Sequence, residues 1–255
     1  MKNTQHLIEG GNVFKSADGS ELTQRINKAD VIPTVAWLEK ITGLPLLDNM
    51  LGTTGKNPTS GDLDLAVDEK TTNKDTVYNA LINWCKTNNL DPRSYVRKSG
   101  VNVHFRTPIL GDASNGFVQT DFMLGDPEWQ KFAMQGGAAN STFRGSHKHV
   151  LLASVAKAYG FKWSFNQGLV SRASNNVVTK DPDEIARYLL GPNANRNDLN
   201  TVESILAKIK GQPNYAELTA DARETFGKEG LTLPESIQEG TATWFRSITT
   251  LLGKQ

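Results

Sequence analysis

The sequence predicts an α+β protein, a small mixed sheet backed by helices, with helical chain before and after it. Three observations predict this. Between residues 62 and 124 the pattern runs strand, helix, hairpin, strand. Residues 31–42 repeat apolar side chains at helical spacing. After Gly125 the helical period returns and dominates.

In the first helix Val31, Val35, Leu38 and Ile41 recur on one face, and Gly43 stops it. Pro33 fits there only if it falls in the first turn. Gly10-Gly11, Ser16 and Asp18-Gly19 mark irregular chain before it. The run Asp62-Leu-Asp64-Leu-Ala-Val67 reads as a strand. Asp75 to Leu90 reads as a helix with Val77, Leu81, Trp84 and Cys85 inward. Cys85, the one cysteine, is then a core residue and not a nucleophile. Two strands follow, Tyr95–Lys98 and Val101–Thr107, around a Ser99-Gly100 turn. Val101, Val103 and Phe105 would face the core, leaving His104 structural or solvent-facing. A loop over 111–116 leads into the strand Phe117–Leu124. Beyond it, Asp181-Pro-Asp-Glu184 opens a helix that Gly191 closes. Asn200–Lys210 and a segment with Trp244, Ile248, Leu251 and Leu252 read as further helices.

The chemistry concentrates on acids. In an extended strand, residues i and i+2 share a face, so Asp62 and Asp64 point together while Leu63 and Leu65 turn inward. Paired carboxylates repel unless a cation sits between them, and oxygen-only ligands suit magnesium or manganese. Asp121 is the only charged residue from Phe117 to Leu124, and its face would carry Phe117, Gln119 and Met123. Were the two strands neighbours, three carboxylates would converge on a site able to hold two metals for in-line phosphoryl transfer. Gly52 would let the backbone approach a phosphate, with Thr53 and Lys56 adding a hydroxyl and a charge. Gly136-Gly137 and Gly145-Ser146 bracket a helix start whose amides suit anions, and Phe143 could stack on a sugar or base. The run Gly52-Thr-Thr-Gly55-Lys56 lacks the spacing of a phosphate-binding P-loop.

The run Gly52-Thr53, then Gly61-Asp62-Leu63-Asp64-Leu65 after a spacer, resembles the signature of the polymerase-β nucleotidyltransferase superfamily. Lys56, Gly61-Asp62 and Val118-Gln119-Thr120-Asp121-Phe122 resemble elements of family X DNA polymerases. Thr142-Phe143-Arg144-Gly145-Ser146-His147-Lys148-His149 resembles their nucleotide-cradling element, with Arg144 where the family has Thr. The likeness spans roughly residues 50 to 195. It implies a helical cap over 1–47, a catalytic palm over 48–135 and a mostly helical nucleotide- or substrate-binding region over 136–255. The implied reaction transfers NMP from an NTP to a hydroxyl and releases pyrophosphate. Asp62, Asp64 and Asp121 would hold two Mg²⁺ or Mn²⁺ ions, with Asp121 as the base. Gly52, Thr53 and Lys56 would hold the triphosphate, and Phe143, Arg144, Gly145, Ser146 and Lys148 the rest of the nucleotide. The polymerases' DNA-gripping repeats have no counterpart here, which favours untemplated transfer. A reduced template-directed polymerase and a non-catalytic binding or virion-associated protein are the alternatives.

With 255 residues, 38% hydrophobic and 22% charged, the composition is that of a soluble protein. No apolar run reaches membrane-spanning length, and the start lacks a leader's apolar stretch, so a cytoplasmic location is expected. A lone cysteine excludes internal disulfides and cysteine zinc sites. Net charge is +1, yet residues 129–180 contain no Asp or Glu. That window carries Lys131, Arg144, Lys148, Lys157, Lys162, Arg172, Lys180, His147 and His149, a block suited to polyphosphate or an RNA or DNA acceptor.

Overall fold

The computed structural model describes residues 12–135, 141 and 143–235. It divides into two compact units, one within residues 1–135 and one within 136–255.

In the first unit, residues 12–25 fold back on themselves, Lys15 bridging Glu21. Then come β1 (Ile26–Asn27), α1 (Lys28–Thr42), β2 (Thr59–Ser60), β3 (Asp62–Asp68), α2 (Lys74–Thr87), β4 (Val96–Ser99), β5 (Asn102–Pro108), β6 (Phe117–Gly125) and α3 (Pro127–Ala133). Strands β1 and β2 form an antiparallel ribbon. The main sheet runs β3-β6-β5-β4. Its β3–β6 pair is parallel and the others antiparallel, so the sheet is mixed and the fold is α+β.

Period-two alternation builds the core. Leu63, Leu65 and Val67 from β3, Val103 and Phe105 from β5, and Val118 and Phe122 from β6 meet α1 and α2. Burying each such side chain contributes roughly 1.5–3 kcal/mol. Trp84 of α2 sets its edge against Trp37 at 5.3 Å and Phe105 at 5.5 Å. Cys85 is buried there, and burial pushes its thiol up to about 11, as a core residue requires.

Two details differ from the expectation. Helix α1 begins at Lys28, ahead of the apolar repeat, which places Pro33 in the second turn. Its missing N–H frees the carbonyl of Ala29, an exposed residue whose carbonyl water can satisfy. The β4–β5 turn is Gly100-Val101, one residue later than expected, because Ser99 pairs with Asn102. Gly100 supplies the positive φ, +52°, at the first turn position. Val101 is therefore 46% exposed and not in the core.

The second unit holds α4 (Gly145–Ala158), β7 (Phe161–Ser164), β8 (Gly168–Ser171), β9 (Val177–Thr179), α5 (Pro182–Leu190), α6 (Val202–Ile209) and α7 (Tyr215–Lys228). The α5 start is capped by Asp181, which accepts from the amides of Asp183 at 2.8 Å and Glu184 at 3.1 Å. Helix α4 packs on α7, where the Ser154 hydroxyl donates to the Leu218 carbonyl at 2.7 Å. The antiparallel sheet β7-β8-β9 is an addition to the mostly helical expectation. Its strands of three or four residues are too short to show a period. The segment around Trp244 and the pair Gly136-Gly137 lie outside the described residues. Among the described residues no helix is long and apolar enough to cross a membrane.

Candidate active site

Strands β3 and β6 are neighbours. Their register sets Asp64 opposite Asp121 and Asp62 opposite Gln119. Because Leu63, Leu65 and Phe122 turn into the core, the three aspartates share the other face. One carboxylate oxygen from each lies within 4.8 Å of the others.

Burial and like charge both act on the cluster. Burial holds the Asp64 carboxyl well above the usual range, and the charges of Asp62 and Asp121 add to it. Asp62 is raised by burial and then by Asp121, while Arg25 pulls the other way. A divalent cation among these oxygens would offset both effects by favouring the charged carboxylates. An all-carboxylate donor set fits magnesium or manganese.

Asp121 is held by two partners that the strand pattern alone did not assign. His104 Nδ1 lies 2.7 Å from its Oδ1, and Gln119 Nε2 donates to the same oxygen at 3.0 Å. With the carboxylate accepting, Nδ1 carries the proton. Both bonds fall on Oδ1, leaving Oδ2 for a cation. The Gln119 amide is oriented in turn by the Val13 N–H at 2.8 Å. His104 sits directly across from Asp121 on β5 and is only 6% exposed, so the solvent-facing expectation is corrected. The alternation was right, but the face is covered. Residues 12–25 reach it, with Gln24 N donating to the Phe117 carbonyl at 2.7 Å and Arg106 Nε donating to the Leu22 carbonyl at 3.1 Å.

The loop before β3 is tied to Asp64. Leu51 N donates to the Asp64 carbonyl at 2.8 Å, and Asp64 N donates to Thr54 Oγ1 at 3.1 Å. Gly52 adopts φ +58°, and a Cβ there would stand 3.9 Å from Asp64 Oδ2. Thr53 and Lys56 are exposed, whereas Thr54, which the sequence did not single out, is buried and does the tying. Beside this loop opens a cleft of about 510 Å³, with Gly52, Lys56 and Lys131 among its walls. Lys131 had stood out only as one member of the basic block.

Phe143, Arg144, Gly145, Ser146 and Lys148 belong to the second unit. Gly145 starts α4 with Arg144 as its N-cap residue. Phe143 packs against Phe226 at 5.7 Å and His147 at 5.9 Å. Lys148 is 3% exposed, and burial lowers its ammonium to about 8. His147 accepts from Arg144 N at 3.0 Å and pairs with Glu229 at 3.0 Å. His149 accepts from Trp163 Nε1 at 3.2 Å, and burial depresses it to about 3. Both histidines are engaged inside the second unit. Lys157 pairs with Asp221, and Arg172 donates to the Phe161 carbonyl, so part of the basic block is engaged internally.

No protein-family model matches the chain, and no curated protein matches it. Among solved structures it is similar to polymerase beta from Leishmania infantum in a ternary P/T complex, with TM-score 0.34 and 14% identity over 70% of this chain and 72% of that one. A ternary gap complex of the same polymerase matches with TM-score 0.35 and 14% identity, over 70% and 67% of the two chains. Likeness at that level leaves the function to the site itself.

Proposed function

We propose that the protein is a divalent-metal-dependent nucleotidyltransferase that moves NMP from an NTP to a hydroxyl and releases pyrophosphate. The carrying observation is the convergence of Asp62, Asp64 and Asp121 from adjacent parallel strands, oxygens within 4.8 Å. The three carboxylates would hold one or two Mg²⁺ or Mn²⁺ ions, whose charge, when bound, neutralises the triphosphate and acidifies the attacking hydroxyl.

The protein's own groups supply the rest. Asp121, held through Oδ1 by His104 and Gln119, takes the proton of the attacking hydroxyl. Lys56 and Lys131 flank the cleft beside Gly52 and receive the β- and γ-phosphates. The amides of the Gly52 turn add donors without charge. Assignment of the nucleoside to Phe143, Arg144, Gly145, Ser146 and Lys148 rests on the sequence pattern alone.

The test is incubation with each α-labelled NTP, Mg²⁺ or Mn²⁺, and pooled DNA, RNA, protein and small-molecule acceptors. Label should reach one acceptor class, and Asp64→Asn or Asp121→Asn should lower transfer by about 10²-fold or more. Lys131→Ala should raise the KM for NTP about tenfold, an effect of about 1.4 kcal/mol, with a smaller change in kcat. Transfer that survives both aspartate substitutions defeats the reading.

A further inference from the structure

A second pocket, of about 320 Å³, opens beside Asp62, one of the three carboxylates. Asp62 and Gln119 line it together with Asn12, Glu21, Thr23 and Arg25. Its place follows from the register. Asp62 faces Gln119 on one rung of the β3–β6 pair, and Asp64 faces Asp121 two residues on. Beyond them, Ala66 and Met123 pack with Leu51 and Met134, beside the turn that borders the lysine cleft. The amide-lined pocket and the lysine cleft therefore flank the carboxylates along the strand direction. In-line displacement needs that arrangement, because the nucleophile enters on the side of the phosphorus opposite to the departing group.

Resting on the nucleotidyl-transfer reading, we infer that this pocket binds the acceptor, and that the acceptor is a small hydroxyl-bearing molecule, neutral or cationic, and not a nucleic-acid end. The lining decides the class. Among the described residues it has no aromatic side chain on which a base could stack. Arg25, the one cation among its described lining residues, already donates to Thr59 Oγ1 at 2.9 Å and to the Thr59 carbonyl at 3.0 Å. Glu21 and Asp62 repel a phosphate backbone and attract an amine. Asn12 and Gln119 are held by Thr23, Phe14, Val13 and Asp121, and the Thr23 hydroxyl, which accepts from Asn12 Nδ2, keeps its own hydrogen to donate to a sugar-like hydroxyl. The volume is at the small end of ligand pockets. In the reaction the acceptor oxygen bonds to the α-phosphorus. The bond from that phosphorus to the bridging oxygen breaks, pyrophosphate leaves past Lys56 and Lys131, and the hydroxyl proton passes to Asp121 and then to water.

The experiment offers the full chain α-labelled NTP and Mn²⁺ with glucose, glucosamine, myo-inositol or an oligonucleotide bearing a free 3′ hydroxyl. Saturation-transfer NMR of glucosamine on the metal-free protein runs beside it. Label should appear on a small acceptor, and exposed Glu21→Gln should raise that acceptor's KM at least tenfold while the KM for NTP holds. The same substitution should weaken the glucosamine NMR signal. Label on the oligonucleotide alone overturns the acceptor class and leaves the transfer chemistry standing. Labelled sugar with KM unchanged in both Glu21→Gln and Asn12→Leu overturns the pocket. Absence of transfer to all four overturns this inference, and label on a protein or RNA in the pooled-acceptor experiment then keeps the parent reading, whereas no label there removes it.

Discussion

Asp64 lies between two other carboxylates, and burial with their charge keeps its proton on well above the usual carboxylate range. A carboxyl raised in the folded state contributes stability below its ordinary pKa and loses that contribution as pH climbs through the raised value. Metal-free protein should therefore be weakened by Asp64 near neutrality. Asp64→Asn should melt higher than wild type in EDTA at about pH 7.5, with the gain gone near pH 4, below which both states are protonated. Calorimetry across that range checks it, and a lower melting temperature at neutral pH would contradict it. His104 acts one step further out. His104→Phe keeps a ring but removes the N–H that orients Asp121, and should cost about 10–100-fold in Mn²⁺ affinity or turnover, with His104→Asn recovering part. The acidic trio was legible because charge stands out in an apolar strand. His104 was not, because its role depends on the cross-strand pairing with Asp121 and on residues 12–25 covering that face.

At the scale of elements, strand pairing does the positioning. One residue of slip between β3 and β6 would send Asp121 into the core and Phe122 to the site. Phe105 of β5 packs its ring on Trp84 in the core under this sheet, so Phe105→Ala should cost about 3–5 kcal/mol in urea unfolding. In the second unit Gly168 has φ +74°, and an added Cβ would collide with the Thr179 carbonyl and come within 2.9 Å of Lys180 Cα. Gly168→Ala should cost about 1–3 kcal/mol. Gly211→Ala, where nothing stands within 4 Å, should be near neutral. Long helices announced themselves through caps such as Asp181 and through apolar spacing. The strands β7 to β9 did not, since three or four residues carry no usable period, and the Gly100-Val101 turn moved by one because either dipeptide offers the required glycine.

For the molecule as a whole, the α+β class and the strand pair that carries the acids followed from alternation and residue chemistry. The walls around them did not, because Lys131, Thr54 and residues 12–25 come from separate stretches of chain that only folding unites. The account stands on one claim, that Asp62, Asp64 and Asp121 together form a divalent-cation site. Manganese binding followed by electron paramagnetic resonance, on wild type and on Asp62→Asn, Asp64→Asn and Asp121→Asn, tests it most directly. Wild type should bind Mn²⁺, Mg²⁺ should compete, and each substitution should weaken binding at least tenfold, about 1.4 kcal/mol. Equal Mn²⁺ binding in wild type and all three variants would contradict the account.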